Sequence, residues 1–163
     1  TSQRFINFTK VPGFAVYNVD TLLKLRKAVG PTIGANFDPS HLIWQGVDPV
    51  AAIRELGKED AIFHFHAKDT HIDAHNTAIN GVLDTKAYDR LPERSWLFRS
   101  VGYGNDYKYW KDMVSALRMV GYDYVLSIEH EDALASIDEG FGKAVSFLKE
   151  VVLEEPMPTA WWI

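Results

Sequence analysis

Asp38, His66 and Glu129 each close a short, mostly apolar run of this sequence, and all three are residue types that bind hard divalent cations. Two carboxylates and an imidazole brought to one rim make an oxygen-rich site suited to manganese, magnesium, cobalt or zinc, with coordination positions left for substrate. Taken singly, each also has an ordinary reading as a helix cap or a loop partner. The chain has no cysteine, so a thiolate site is excluded and any metal depends on His, Asp and Glu.

Other polar residues gather near these three. His64 and His66 lie two apart in a strand-like run, so both face one side while Phe63 and Phe65 face the other; His64 reads equally as a satisfied core histidine. His41, three residues after Asp38, can contact substrate or cap a helix. In Glu129-His130-Glu131-Asp132, alternation puts Glu129 and Glu131 on one face and turns His130 away. Lys68-Asp69 can neutralise an anionic substrate group or form a surface ion pair. Arg99 precedes the turn Gly102-Tyr103-Gly104, which lacks the third glycine of a dinucleotide fingerprint, and is placed to anchor a hydroxyl or phosphate. His71, Asp73 and His75 alternate, and a plain loop is the better reading of them. The chain has no phosphate-binding Gly-rich loop with Lys-Ser/Thr, no Gly-x-Ser-x-Gly elbow and no His-Glu-x-x-His pair.

The elements that must position these residues alternate. A helix capped by Asp20 carries Leu22, Leu25 and Val29 to the stop at Gly30-Pro31, and residues 32–38 then read as a buried strand. A loop over residues 39–47 leads to a helix that starts at Asp48-Pro49 and runs to Gly57. Residues 61–67 form a second strand, and residues 70–106 are expected as a long loop over the strand ends. Trp110, Met113, Val114 and Leu117 recur at helical spacing after a cap at Asn105 or Asp106; residues 124–129 are a third strand; Ala144, Val145, Leu148 and Val152 mark a last helix. An irregular or extended segment lies in front, near residues 4–17. Alternation of this kind implies right-handed crossovers and a parallel sheet, with chemistry at the carboxyl ends of the strands.

The chain has 163 residues, 47% hydrophobic and 24% charged, with a net charge of -5. This is the composition of one soluble globular domain spanning residues 1–163, not of a disordered chain. Its apolar runs fall short of the roughly 20 residues that cross a bilayer, so no membrane partner is expected. The negative charge disfavours a surface that tracks nucleic-acid phosphates. Absence of cysteine fits a cytoplasmic location.

Asn36-Phe37-Asp38-Pro39-Ser40-His41, His64-Phe65-His66-Ala67-Lys68-Asp69, Arg99-Ser100-Val101-Gly102-Tyr103-Gly104 and Ser127-Ile128-Glu129-His130-Glu131-Asp132 together resemble the xylose-isomerase-like TIM barrels. Within these, the sugar phosphate isomerase/epimerase proteins are the nearest likeness. The resemblance implies the carboxyl half of a (β/α)8 barrel, since a whole one takes about 250 residues. It also implies a divalent metal held by Asp38, His66 and Glu129, with Glu129 as a proton-transfer acid beside a carbonyl and the metal stabilising an enediolate. His41 and Arg99 match substrate-contacting positions, and His64 and Lys68, beside His66 in the same segment, are read from the residues as further substrate-binding candidates. A further acid is expected just before Pro12-Gly13-Phe14, yet Phe8-Thr9-Lys10-Val11 supplies none.

The leading expectation is thus a metal-dependent sugar or sugar-phosphate isomerase/epimerase represented by its C-terminal half, completed by self-association or by a missing N-terminal half. An inactive half-barrel acting as a ligand-binding or self-associating module is the alternative. Endonuclease-like phosphodiester chemistry ranks last.

Overall fold

A computed structural model of the chain describes the backbone of residues 4–7 and residues 16–160. Three short apolar runs form the strands β2 (Ile33–Phe37), β3 (Ile62–Ala67) and β6 (Leu126–Ile128), and β1 (Arg4–Asn7) precedes them. They make one four-stranded sheet in the order β1-β2-β3-β6, every pair parallel. Both ends of this sheet are strands with one neighbour, so the described residues form an open arc of parallel (β/α) units, about half of a TIM barrel.

Helices cover the arc because their apolar stripes have nowhere else to be buried. α1 (Val19–Val29) buries Leu22, α3 (Pro49–Gly57) buries Ala52, Ile53 and Leu56, α5 (Tyr107–Met119) buries Trp110, Met113, Val114 and Leu117, and α6 (Ile137–Val151) buries Ala144, Leu148 and Val151. These meet Ala35, Phe37, Phe65 and Ala67 of the strands in one core. Phe37 and Phe65 stack across adjacent strands with centroids 5.4 Å apart, and each fully buried side chain of this size contributes about 1.5–3 kcal/mol.

The helix starts follow side-chain chemistry. Asp48, Asp106 and Ser136 accept from backbone N–H groups of the first turns of α3, α5 and α6. For α1 the expected Asp20 cap is corrected. Asn18 is the N-cap, in a reciprocal capping box with Thr21, and Asp20 sits in the first turn.

Two segments expected as loops are ordered. Residues 39–47 begin with α2 (Pro39–Ile43), for which Asp38 is the N-cap and Pro39 needs no N–H partner. The excursion over residues 70–106 contains an antiparallel pair, β4 (Asp69–Ile72) with β5 (Trp96–Arg99), in which Asp69 faces Arg99 and Ile72 faces Trp96. Between them lie α4 (Ala74–Asn80), capped by Asp73, and a 3-10 segment at Tyr88–Glu93. Trp96 stacks on Trp44 at 4.9 Å, fixing this hairpin to the loop after α2. No described helix is long and apolar enough to cross a membrane.

Candidate metal centre

Asp38, His66 and Glu129 converge at the carboxyl ends of β2, β3 and β6. One donor atom from each lies within 4.8 Å of the other two, and this is the sole such grouping of three or more His, Asp or Glu among the described residues. Asp38 serves two purposes with its two oxygens. Oδ1 caps α2, accepting from the Ser40 N–H at 2.9 Å and the Ser40 hydroxyl at 2.6 Å; Oδ2 faces His41 Nε2 at 3.5 Å and Lys68 Nζ at 3.2 Å. Glu129 follows β6 directly, and its N–H donates to the Ala67 carbonyl at 3.3 Å, continuing the β3–β6 ladder.

His66 sits between them. Its Nε2 lies 3.2 Å from the Asn36 side-chain nitrogen, and its Nδ1 lies 2.5 Å from Glu129 Oε2. That Nδ1 is buried yet has no partner in hydrogen-bond alignment. A buried nitrogen and carboxylate oxygens turned toward one point without such alignment are the donor set a divalent cation takes from His, Asp and Glu. The residues present therefore fit a metal.

Lys68 corrects an expectation. It is not a surface ion pair but buried, 1% exposed, with Nζ 2.8 Å from Glu131 Oε2, 3.0 Å from Glu129 Oε1 and 3.2 Å from Asp38 Oδ2. Its ammonium also lies 4.5 Å from the centre of the Phe98 ring. Burial alone would lower the Lys68 pKa, but Asp38, Glu131 and Glu129 outweigh it and raise it. Burial would likewise raise the Glu129 carboxyl, and Lys68 and His66 hold it below the usual range instead.

The histidines divide. His41 rests its ring edge-on to Phe98 at 5.1 Å, and burial, the leading cause, lowers its pKa. His64 meets His66 edge-on at 5.3 Å and Tyr124 at 6.2 Å; burial and the neighbouring His66 lower its pKa too. In both, the shift favours the neutral ring. His130 turns away, its ring close against Gly140 of α6. His71 and His75 are exposed on β4 and α4.

Two further carboxylates shape the rim. Asp132 has a buried side chain and accepts from Arg99 Nε at 3.0 Å and the Ser100 N–H at 2.8 Å. Asp69, also buried, accepts from the N–H groups of Gly102, Gly104 and Asn105 and from the Trp110 indole. This ties the Gly-x-Gly turn beneath the site. A Cβ at Gly104 would fall 2.5 Å from the Thr70 carbonyl, so glycine is needed there for the close approach.

A family model described as xylose isomerase-like TIM barrel matches residues 6–151. The chain belongs to this family. The uncharacterized protein YfiH of Bacillus subtilis (strain 168) is 44% identical over 137 residues, covering 84% of this chain and 43% of its own. Among solved structures, a xylose isomerase domain protein from Planctomyces limnophilus aligns with a TM-score of 0.58 at 20% identity, over 91% of this chain and 45% of that one. A D-psicose 3-epimerase, solved in the presence of D-fructose, aligns with a TM-score of 0.53 at 14% identity, over 92% of this chain and 49% of that one. This xylose isomerase-like chain thus spans less than half the length of the relatives it matches, and its open arc corresponds to part of their fold.

Proposed function

We propose that this chain is the metal-binding part of a sugar isomerase or epimerase that moves a proton at the carbon beside a carbonyl. The observation that carries the reading is the convergence of Asp38, His66 and Glu129 within 4.8 Å. These three residues would hold a divalent cation, which when bound supplies Lewis-acid polarisation of a sugar oxygen. Glu129 is the proton-transfer group: a carboxylate held ionised by Lys68 and His66 accepts the proton from the sugar carbon on an oxygen at the rim and returns it to a neighbouring position. Neutral His41 and the Arg99 guanidinium supply N–H donors for sugar hydroxyls, and Phe98 offers an apolar face.

The charges favour an uncharged sugar over a sugar phosphate. The rim carries five carboxylates (Asp38, Asp69, Glu129, Glu131, Asp132) and two cations, Lys68 and Arg99, each already paired. A divalent ion offsets part of this excess negative charge and leaves the rim formally anionic. A phosphate would add negative charge with no cation left among the described residues of this rim. D-Psicose 3-epimerase, a structural neighbour, is named for an uncharged sugar.

The outer strands β1 and β6 are where the arc would be completed by another copy or by an N-terminal half. A second reading, a sugar-binding module without turnover, is favoured by the absence of an acid in Phe8-Thr9-Lys10-Val11, which lies outside the described residues. Exchange of the carbon-bound proton of D-fructose with deuterated water, followed by NMR with manganese present, tests the reading. Exchange abolished by Glu129→Gln supports it, and sugar binding without exchange favours the second.

A further inference from the structure

We propose that Lys68 is a resident counter-cation of the metal centre, which keeps its carboxylates assembled before a metal arrives and weakens metal binding afterwards. This rests on the metal reading above. Asp38, Glu129 and Glu131 all converge on one ammonium at 2.8–3.2 Å. Three carboxylates so close repel one another, and desolvation adds to the cost. The ammonium donates hydrogen bonds to Glu129 and Glu131 and forms an ion pair with Asp38.

Two of those three partners, Asp38 and Glu129, are candidate ligands, while Glu131 is not in the ligand grouping. The ammonium therefore draws on carboxylate charge that a divalent cation also needs, and two like charges are set side by side. A substrate anchor would keep donors free and accessible. Lys68 is 1% exposed, with its donors directed at carboxylates.

The sign of one measurement separates this role from the others. With the 163-residue chain, isothermal titration of manganese should show Lys68→Met binding about tenfold more tightly than the wild type. Its metal-free melting temperature should fall further than its manganese-loaded one. A structural or substrate-binding role predicts affinity unchanged or reduced, and that outcome in a wild type that itself binds manganese overturns the proposal. Uptake of no manganese by the wild type overturns the metal reading on which it rests.

Should Lys68→Met fail to fold, Glu131→Gln decides. Glu131 is exposed and not a candidate ligand; its loss leaves the ammonium acting on Asp38 and Glu129 alone, so manganese affinity should drop severalfold at nearly constant melting temperature. An unchanged affinity there overturns the proposal.

Discussion

Arg99 Nε donates to both carboxylate oxygens of Asp132, at 3.0 and 3.1 Å, and so joins the end of β5 to the segment that leaves β6. Asp132 also accepts from the backbone N–H groups of Ser100 and Leu134, at 2.8 and 2.9 Å. One buried carboxylate thus fixes the two stretches that carry Arg99 and Glu129 to the same rim.

Asp132→Asn should destabilise the chain by about 2 kcal/mol at pH 7, because it leaves donors poorly satisfied and removes a charge-assisted bond. Burial by itself would raise the Asp132 carboxyl, but the bonds from Ser100, Leu134 and Arg99 hold it below the usual range. A depressed folded-state value stabilises above the unfolded value, near pH 4, and that stability is lost as pH falls through the folded value. Urea denaturation between pH 7 and pH 2 should show the wild type losing its advantage over Asp132→Asn below about pH 4.

Gly104→Ala tests the anchoring of the turn. The added Cβ would meet the Thr70 carbonyl at 2.5 Å and Asp69 Oδ1 at 2.7 Å, a backbone group and a buried carboxylate already held by several N–H donors, neither of which yields cheaply. A loss of about 1–3 kcal/mol is expected in urea denaturation, as for other overpacked sites.

Much of this arrangement was legible in the residues. The alternation of apolar runs with amphipathic stretches located β2, β3, β6 and the helices α1, α3, α5 and α6, because period and length separate buried strands from helices. Asp38, His66 and Glu129 were legible as strand-end residues, and the structure brings them together. The hairpin β4–β5 was not, since each strand has four residues and Asp69, Thr70 and Trp96 are its buried members, too few to set a period. The burial of Lys68, Asp69 and Asp132 was not legible, because local sequence does not show what lies opposite. Their burial comes from contacts 30 to 63 positions away, such as Lys68 with Asp38 and Glu131 and Asp69 with Gly102. Dense charge at successive strand ends was the available signal that such residues pair with one another.

His41→Gln should separate sugar from metal. His41 rests against Phe98 and lies 3.5 Å from Asp38 Oδ2, at the longer end of that cluster's contacts. Sugar binding followed by saturation-transfer NMR should weaken by about tenfold, the worth of one or two lost hydrogen bonds, while manganese affinity stays within a few-fold.

Metal should also be visible as stability. At a manganese concentration one hundred times its dissociation constant, mass action adds about 2.7 kcal/mol, which for a chain of this size raises the melting temperature by roughly 5–10 °C. Chelation should reverse the rise in a calorimetric scan.

The most direct test is isothermal titration of manganese into the wild type, His66→Ala and Glu129→Gln. The wild type should take up one ion per chain, and both variants should lose at least a hundredfold in affinity, since each removes a ligand of the single described grouping. Manganese binding that is absent from the wild type, or unchanged in both variants, would contradict the assignment of this rim as a metal centre.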